Sequence, residues 1–254
     1  MELSRNDFKQ ALQAGSQQIG LWSSLSSNYT VEVIAGAGFD WILLDTEHSP
    51  NDLESVLGQL QAAAPYPTEA VVRVAWNDMV LIKRYLDIGA RSLLIPYIST
   101  AEEAKAAVSY ARYPPAGVRG VAGTTRANRF GRIKDYARRA HEELCVLVQV
   151  ETRQGIENIE AICAVEGIDG VFIGPGDLHA SLGYTGETAN PAVMPLMLDA
   201  VRRIRKAGKA PGFLTGVEAD ARRVIEAGGQ FVAVGADVGL LARGADALAA
   251  KFKS

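Results

Sequence analysis

The amino-acid sequence predicts a (β/α)8 barrel, in which eight parallel strands alternate with helices around a closed sheet. The first observation is a recurring pattern, in which a helix-like segment ends at a glycine and a short apolar strand begins soon afterwards. The second is that eight such strands fit into 254 residues, a usual length for this fold. Because no stretch has the composition of a linker, residues 1–254 are predicted to form one domain.

The predicted strands are short, apolar and rich in β-branched residues, which is typical of strands buried on both faces of a parallel sheet. In chain order they are residues 19–24, 41–44, 70–74, 92–96, 145–150, 171–173, 211–214 and 231–234. Four of them follow a helix-ending glycine, at Gly38, Gly89, Gly167 and Gly228. Glycine is favoured there because it accepts the left-handed conformation that closes a helix.

Three helix starts can be placed from local signals. Thr100 and Glu103 have the spacing of a capping box, and Pro50 and Pro191 suit the first turn of the helices that follow them. One segment, residues 113–133, breaks the alternation with two prolines, four glycines and four arginines. A loop this long is often functional. It is interpreted either as a lid or subunit contact that brings positive charge to an acidic substrate, or as a solvated insertion.

Composition excludes several classes of function. The formal net charge of −3 gives no basic field, so neither nucleic acid nor an anionic membrane is predicted as a partner. The first residues lack the apolar core of a signal peptide, and no apolar run is long enough to span a membrane. The two cysteines have no metal-site spacing, which favours reduced thiols and a cytoplasmic protein.

Polar side chains gather at the carboxyl ends of four predicted strands, where barrel enzymes carry their chemistry. They are Asp45, Glu47, His48, Arg73, Gln149, Glu151 and Asp177. Glu151 and Asp177 follow consecutive strands, which lie about 4.8 Å apart in a sheet, so the two carboxylates can share one hard divalent cation. Each also has a simpler interpretation, because Asp177 suits a helix cap and Glu151 suits an ion pair with an arginine.

The remaining candidates concern proton transfer and charge. His48 lies at a strand end and suits a general base. Asp87 would orient it if the fold brought them together, although a surface carboxylate is the simpler interpretation. Arg73 lies in a buried strand and needs an anion, which is either a structural carboxylate or that of a substrate. None of the eight lysines lies in a predicted strand, which disfavours Schiff-base and pyridoxal chemistry and leaves a metal as the electron sink.

Four segments together resemble the HpcH/HpaI aldolases, which are metal-dependent, pyruvate-specific class II aldolases. The segments are residues 45–49 (Asp-Thr-Glu-His-Ser), 113–120 (Tyr-Pro-Pro-Ala-Gly-Val-Arg-Gly), 149–152 (Gln-Val-Glu-Thr) and 170–178 (Gly-Val-Phe-Ile-Gly-Pro-Gly-Asp-Leu). Residues 126–131 look closer to the 2-dehydro-3-deoxyglucarate aldolases than to the 4-hydroxy-2-oxoheptanedioate aldolases. The resemblance covers nearly the whole chain.

The resemblance implies a role for each candidate residue. His48 would be the acid and base, Asp87 would raise its basicity, and Arg73 would stabilise the transition state. Gln149 would contact the substrate, and Glu151 and Asp177 would bind Mg²⁺ or Mn²⁺, with Co²⁺ also compatible. Gly176 stands where the family usually has a small polar residue, so only its backbone N–H is left to hold the pyruvate carboxylate.

The resemblance also implies a homo-hexamer in which the last helix is exchanged between subunits. An apolar face of Leu240, Leu241, Ala245 and Leu248 permits this exchange, and it equally permits packing on the chain's own barrel. The implied reaction is the reversible cleavage of a 4-hydroxy-2-oxo acid, such as 2-dehydro-3-deoxyglucarate, to pyruvate and an aldehyde. Two alternatives stay open: a CoA-thioester lyase of the malyl- or citramalyl-CoA type, and a non-catalytic metabolite-binding barrel.

Overall fold

The computed structural model describes residues 1–187 and 190–253, and it confirms the closed (β/α)8 barrel. Every strand is parallel to its neighbours, each pairs with the next along the chain, and β1 pairs with β8 to close the barrel. The strands are β1 Gln18–Ser23, β2 Trp41–Asp45, β3 Glu69–Arg73, β4 Ser92–Ile95, β5 Cys145–Val150, β6 Gly170–Ile173, β7 Ala210–Leu214 and β8 Phe231–Ala236.

Twelve helices are present in the two described ranges. They are α1 Asp7–Gln13, α2 Asn28–Ala35, α3 Leu53–Ala63, α4 Met79–Asp87, α5 Ala101–Ala111, α6 Tyr136–Glu143, α7 Arg153–Glu157, α8 Ile159–Cys163, α9 Pro175–Ser181, α10 Val193–Lys206, α11 Glu218–Glu226 and α12 Asp237–Ala250. No helix within these ranges has the length and apolar character needed to cross a bilayer.

Local signals placed most helix ends correctly. The predicted capping box of Thr100 and Glu103 is confirmed at α5, and the four predicted helix-ending glycines all have positive φ. The prediction for Pro50 was wrong, because α3 begins three residues later at Leu53. Its N-cap is Asp52, whose side chain accepts from the backbone of Ser55. Pro191 likewise precedes its helix, which begins at Val193.

Aromatic rings fill the inside of the barrel. Trp41 and Phe231 lie with ring centroids 5.8 Å apart, and Phe172 lies 5.9 Å from Phe231. Phe8 of α1 packs on both Trp41 and Phe231, so α1 closes the amino-terminal end of the barrel. A second apolar layer lies between the strands and the surrounding helices. A solid interior of this kind leaves the carboxyl-terminal rim as the accessible end of the barrel.

Asp237 holds the rim together where β8 meets β1. Its buried carboxylate accepts hydrogen bonds from the hydroxyl of Ser23 and from the backbone N–H groups of Ser24, Leu25 and Val238. The remainder of α12 is different, because Asp237 is its only buried residue. Leu240 and Leu241 are 55% and 62% exposed. The apolar face of this helix therefore does not pack on its own barrel, which removes one of the two interpretations of it.

The segment 113–133 forms neither helix nor strand. It follows α5, which runs from the carboxyl-terminal rim towards the amino-terminal end, so the segment lies at the end of the barrel opposite the rim. Arg119 is fully buried there, stacks on Tyr113 with its guanidinium 4.4 Å from the ring centroid, and donates to Asp87 at 2.8 Å. Arg126 donates to the carbonyl of Ile88. The segment is therefore not a lid over the rim of its own chain.

Candidate active site

Glu151 is the most constrained carboxylate at the rim. It follows the last residue of β5 and is 1% exposed. Its Oε1 accepts from the backbone N–H of Tyr97 at 2.8 Å, and its Oε2 accepts from Nε2 of Gln149 at 2.6 Å. Burial raises the pKa of Glu151 to about 7 in spite of these two donors, and the negative charges of Glu47 and Asp177 add to the rise. A nearby cation would relieve this unfavourable charge.

Asp177 lies on the next strand connection, in the first turn of α9, and its side chain is exposed. The backbone between β6 and α9 comes unusually close to Glu151. A Cβ added to Gly174 would collide with Oε2 of Glu151 and would lie 2.8 Å from its Cβ. Glycine is therefore required at 174 because of a close approach, since its φ of −86° suits any residue. Glu151 thus packs directly against the backbone that leads to Asp177, and the negative charge of Asp177 acts on it.

This pair of carboxylates fits a hard divalent cation. Both residues offer oxygen ligands, which such cations prefer. Burial and the repulsion between neighbouring carboxylates raise the pKa values of Glu47 and Glu151. Within the described part of the chain, no group of three or more His, Cys, Asp or Glu side chains is arranged to hold a metal. Because two carboxylates do not fill the coordination shell of such a cation, one held by Glu151 and Asp177 would keep positions for water and substrate.

Arg73 ends β3 and is paired with a carboxylate of the protein itself. Its Nε and Nη2 donate to the two oxygens of Asp45 at 2.9 and 2.7 Å, and its Nη1 lies 3.0 Å from Oε2 of Glu47. The guanidinium also lies 4.9 Å from the ring centroid of Trp22. The sequence left two possible anions for Arg73, a structural carboxylate or that of a substrate. In the structure a carboxylate of the protein, Asp45, binds its Nε and Nη2. Two N–H bonds of the guanidinium stay available for a substrate oxygen.

Asp45 and Glu47 respond differently to the same arginine. Burial opposes ionisation of Asp45, but the hydrogen bonds and charge of Arg73 outweigh it, and the pKa of Asp45 is lowered. Burial raises the pKa of Glu47 to about 7, because Arg73 attracts it less strongly and Asp45 and Asp177 repel it. Neither acid received a role from the sequence, and neither did Trp22, whose Nε1 donates to Asp45. The signal that could have found the two acids was their place in the 45–49 run.

The structure does not bring His48 and Asp87 together within one chain. His48 lies at the rim with a side chain 63% exposed, and its Nε2 is 3.9 Å from Oε1 of Glu47. Asp87 is the last residue of α4, a helix that begins at the rim and runs back along the barrel. Its carboxylate accepts from Arg119 at the opposite end. The suggested contact between His48 and Asp87 is therefore wrong for a single chain.

The two other predicted residues lie at the rim. Gln149 is buried on β5 with its amide donating to Glu151, and its Oε1 has no partner among the described residues. Gly176 is exposed beside Asp177, and a Cβ there would meet no atom within 4 Å. The absence of a side chain at 176 is thus not imposed by packing, in contrast to Gly174.

Comparisons with known proteins find relatives over nearly the whole chain. The family model of HpcH/HpaI aldolase/citrate lyase matches residues 18–244. A pyruvate aldolase from Rhizobium etli is 56% identical over 99% of both chains. A 4-hydroxy-2-oxo-heptane-1,7-dioate aldolase from Salmonella arizonae is 55% identical and covers 98% of this chain and 95% of its own length.

Solved structures extend the likeness to the fold. An HpcH/HpaI aldolase/citrate lyase family protein from Burkholderia cenocepacia superposes with a TM-score of 0.94 at 41% identity, covering 98% of this chain and 100% of its own. The citrate lyase beta subunit of M. tuberculosis, solved with oxaloacetate and magnesium, has a TM-score of 0.60 at 16% identity over 88% of this chain and 93% of its own, so it shows the shared fold alone. On these matches, the chain belongs to the HpcH/HpaI aldolase/citrate lyase family.

Proposed function

We propose that the protein is a class II aldolase that reversibly cleaves a 4-hydroxy-2-oxo acid to pyruvate and an aldehyde. The observation that carries the proposal is the packing of Glu151 against Gly174, in the connection that carries Asp177, with the charge of Arg73 fixed by Asp45 at the same rim. The names of the Rhizobium etli and Salmonella arizonae relatives support the reaction type. The narrower assignment to 2-dehydro-3-deoxyglucarate stays a prediction, since those relatives carry other names.

Glu151 and Asp177 would hold Mg²⁺ or Mn²⁺. When bound, such a cation supplies Lewis-acid stabilisation for negative charge on the 2-oxo acid. The donors on Glu151 leave its carboxylate in one orientation, because Tyr97 and Gln149 each hold one oxygen. The carboxylate of Glu151 is therefore oriented before the cation binds, which lowers the free-energy cost of metal binding.

Arg73 supplies a second positive charge that is already oriented. Its fork is fixed by Asp45, so it need not reorganise as charge develops on the substrate. His48 is the candidate for removing the proton of the 4-hydroxyl group, because it is the histidine exposed at the rim beside these groups. Bond cleavage then leaves a carbonyl on the aldehyde half and the electron pair on the pyruvate half, and one proton added to the carbon that carries this pair completes pyruvate and balances the proton removed from the hydroxyl group.

If Asp87 raises the basicity of His48, it does so from a neighbouring subunit. Within one chain, His48 lies at the rim, whereas Asp87 ends α4 towards the opposite end of the barrel. We therefore expect His48→Ala and Asp87→Asn to be inactive as pure proteins and to regain part of the activity when the two chains are co-expressed in mixed oligomers. Mixed oligomers as inactive as their parents would exclude this sharing.

The exposed face of α12 supports the expected homo-oligomer. Leu240, Leu241 and Leu248 are exposed on a helix that leaves its own barrel after Asp237. Exposed apolar residues in such a row mark an interface more often than a free surface. Exchange of this helix between subunits of a hexamer would cover them.

The deciding experiment is a substrate panel in which pyruvate release is coupled to lactate dehydrogenase. The panel holds 4-hydroxy-2-oxo sugar acids, 4-hydroxy-2-oxoheptanedioate and malyl- and citramalyl-CoA. We expect turnover of the oxo acids, its loss with EDTA, and its return with Mg²⁺ or Mn²⁺. Turnover of CoA thioesters alone would favour the lyase alternative, and no turnover of any member would favour a binding protein.

A further inference from the structure

Two aromatic side chains stand at the rim and have no part in the chemistry described above. Trp76 lies in the connection between β3 and α4, three residues after Arg73. Tyr97 lies in the connection between β4 and α5, and its backbone N–H is hydrogen-bonded to Glu151. Since β3, β4 and β5 are consecutive in the barrel, the two residues border the site between the arginine and the buried carboxylate.

The rings of Trp76 and Tyr97 pack on each other yet stay open to solvent. Their centroids lie 5.5 Å apart with the planes tilted by 32°, and the residues are 54% and 44% exposed. Met79 and Val80, in the first turn of α4, are exposed beside Trp76 in the sequence. A soluble protein rarely collects exposed apolar side chains at the mouth of a site unless something packs on them.

The backbone of Tyr97 shows that its position is imposed. Its φ is +60°, a conformation that is unfavourable for a residue with a bulky side chain. Strain of this kind persists where the surrounding contacts require it, and here the N–H of Tyr97 must reach Oε1 of Glu151. The same constraint fixes the Cα from which the ring extends, so the ring is held at the rim while Glu151 is held inside.

The charges at the rim also indicate that an apolar group packs on Trp76 and Tyr97. Asp45, Glu47, Glu151 and Asp177 are acidic, and the guanidinium of Arg73 is already paired with the first two. Arg153 is exposed after β5, but its backbone N–H donates to Ser181, which ties it to the side of the rim towards α9. On the β3–β4 side, the polar residues Asn77 and Asp78 are partly buried and are bonded within the protein, to the carbonyl of Glu103 and to the backbone N–H groups of Val80 and Leu81. The exposed side chains of residues 74–80 and 96–100 are aromatic or aliphatic.

We propose that Trp76 and Tyr97 form the wall that binds the aldehyde half of the substrate and favours aldehydes with apolar or aromatic chains. This inference rests on the proposed aldolase function and adds a substrate class to it. The pyruvate half is held by the buried carboxylate layer, so the far end of a 4-hydroxy-2-oxo acid extends outwards along the rim. When an apolar chain packs on the two rings, its apolar surface is removed from water, which favours binding. A hydrated sugar chain gains little binding free energy from the same contact.

The test uses the Mg²⁺-loaded full-length enzyme in the direction of synthesis, with pyruvate as donor. Phenylacetaldehyde and glycolaldehyde are compared as acceptors by kcat/KM. We expect Trp76→Ala to lower the value for phenylacetaldehyde about 10-fold and to leave that for glycolaldehyde nearly unchanged. Trp76→Phe keeps a ring and should retain most of the preference. Tyr97→Asn removes the other ring with a residue that tolerates positive φ, so Mg²⁺ affinity should be preserved while the preference falls.

Two controls make the result specific. Phe252→Ala removes an exposed ring elsewhere, and Arg153→Ala removes the exposed cation after β5; both should keep the wild-type ratio of the two acceptors. An unchanged ratio in Trp76→Ala and Tyr97→Asn, with an active wild type, would overturn the inference and leave the aldolase function standing. Equal losses for both acceptors, or dissociation of the oligomer in size-exclusion chromatography, would overturn it as well. If the wild-type enzyme consumed no pyruvate with any aldehyde, both the aldehyde-binding wall and the proposed aldolase function would be overturned.

Discussion

Asp45 and Arg73 occupy directly paired positions at the ends of β2 and β3, and their side chains form a two-point ion pair at 2.9 and 2.7 Å. Both side chains are almost fully buried. A buried guanidinium held in this way keeps its charge and its orientation, which are the two properties that electrostatic catalysis needs. The pair therefore links the pairing of β2 with β3 to the chemistry at the rim.

Replacing Arg73 by alanine should lower kcat by about 10²–10³, because one pre-oriented positive charge is lost. The metal should still bind, since Glu151 and Asp177 are untouched; isothermal titration calorimetry with Mn²⁺ checks this. The substitution also leaves Asp45 buried without its partner, which we expect to cost about 3–5 kcal/mol of unfolding free energy. Arg222→Ala, which removes an exposed arginine paired with Glu218, is the control and should change neither quantity. Turnover of Arg73→Ala near the wild-type value would rule out the role.

Replacing Glu151 by glutamine should weaken metal binding before it weakens the fold. The amide is nearly the same size as the carboxylate, so the packing against Gly174 is kept, but the negative ligand is gone. We expect the Mn²⁺ dissociation constant to rise at least about 10-fold while the thermal unfolding midpoint of the metal-free protein stays the same or rises. The rise is expected because a buried acid with an elevated pKa is replaced by a neutral group. Unchanged Mn²⁺ affinity would contradict the assignment of the ligand.

The acids at the rim predict a definite dependence on pH. The pKa values of Glu47 and Glu151 are raised from the ordinary 4.5 to about 7 in the folded protein. Between these values the folded chain holds more protons than the unfolded chain, so the unfolding free energy of the metal-free protein should fall as the pH rises from about 4.5 to about 7. Metal affinity should instead increase as the pH rises, because the cation competes with the proton on Glu151.

Denaturant titrations and calorimetry across this pH range measure the two trends. Glu47→Gln should remove part of the stability trend and leave the pH dependence of metal binding largely in place, since Glu47 is not a proposed ligand. An unfolding free energy that climbs with pH through this window would contradict the raised pKa values.

Two glycines two residues apart should respond in opposite ways to alanine. Gly174→Ala places a methyl group against Oε2 of Glu151, so we expect weaker Mn²⁺ binding and lower kcat. Gly176→Ala meets only open space and should leave Mn²⁺ affinity near the wild-type value. Calorimetry on both variants gives the comparison. Equal effects of the two substitutions would show that the close approach at Gly174 does not matter to the site.

The apolar face of α12 should control assembly. Replacing Leu240 and Leu241 together by serine removes apolar side chains from a helix that makes little contact with its own barrel, so the monomer fold should survive. We expect size-exclusion chromatography with light scattering to report a smaller species, with an unchanged far-ultraviolet circular dichroism spectrum. Val217→Ser, at an exposed apolar position outside this helix, is the matched control. Assembly equal to wild type in the α12 variant would exclude this face as the interface.

The fold was predictable from sequence because the strands are short apolar runs and four of them follow a clear helix end. Eight such strands alternating with helices in 254 residues then favoured a closed barrel. Strand-end positions also identified Glu151, Asp177 and Arg73, since parallel strands bring their carboxyl ends to one rim. Helix starts were less certain, as at Pro50, because a proline next to a good N-cap such as Asp52 fits two starts.

The partners of the site residues were harder to predict. Asp45 and Glu47, which lie 28 and 26 residues before Arg73, are equally plausible partners until the register of β2 and β3 is known. A backbone donor such as the N–H of Tyr97 leaves no mark in the sequence. Whether Asp87 reaches His48 also stayed open in the sequence; within one chain it does not, because a helix of nine residues carries its last residue about 12 Å from its first along the axis.

Residue 97 combines two tasks in separate parts of one amino acid. Its main chain steadies Glu151, and any residue that accepts a φ of +60° can do this; its side chain lies outside and is open to exchange. A library at this position should accordingly yield asparagine, aspartate and glycine as the variants that best preserve thermal stability. In directed evolution we therefore expect side-chain changes at this position to alter the preference among aldehydes while the carbon–carbon chemistry is kept.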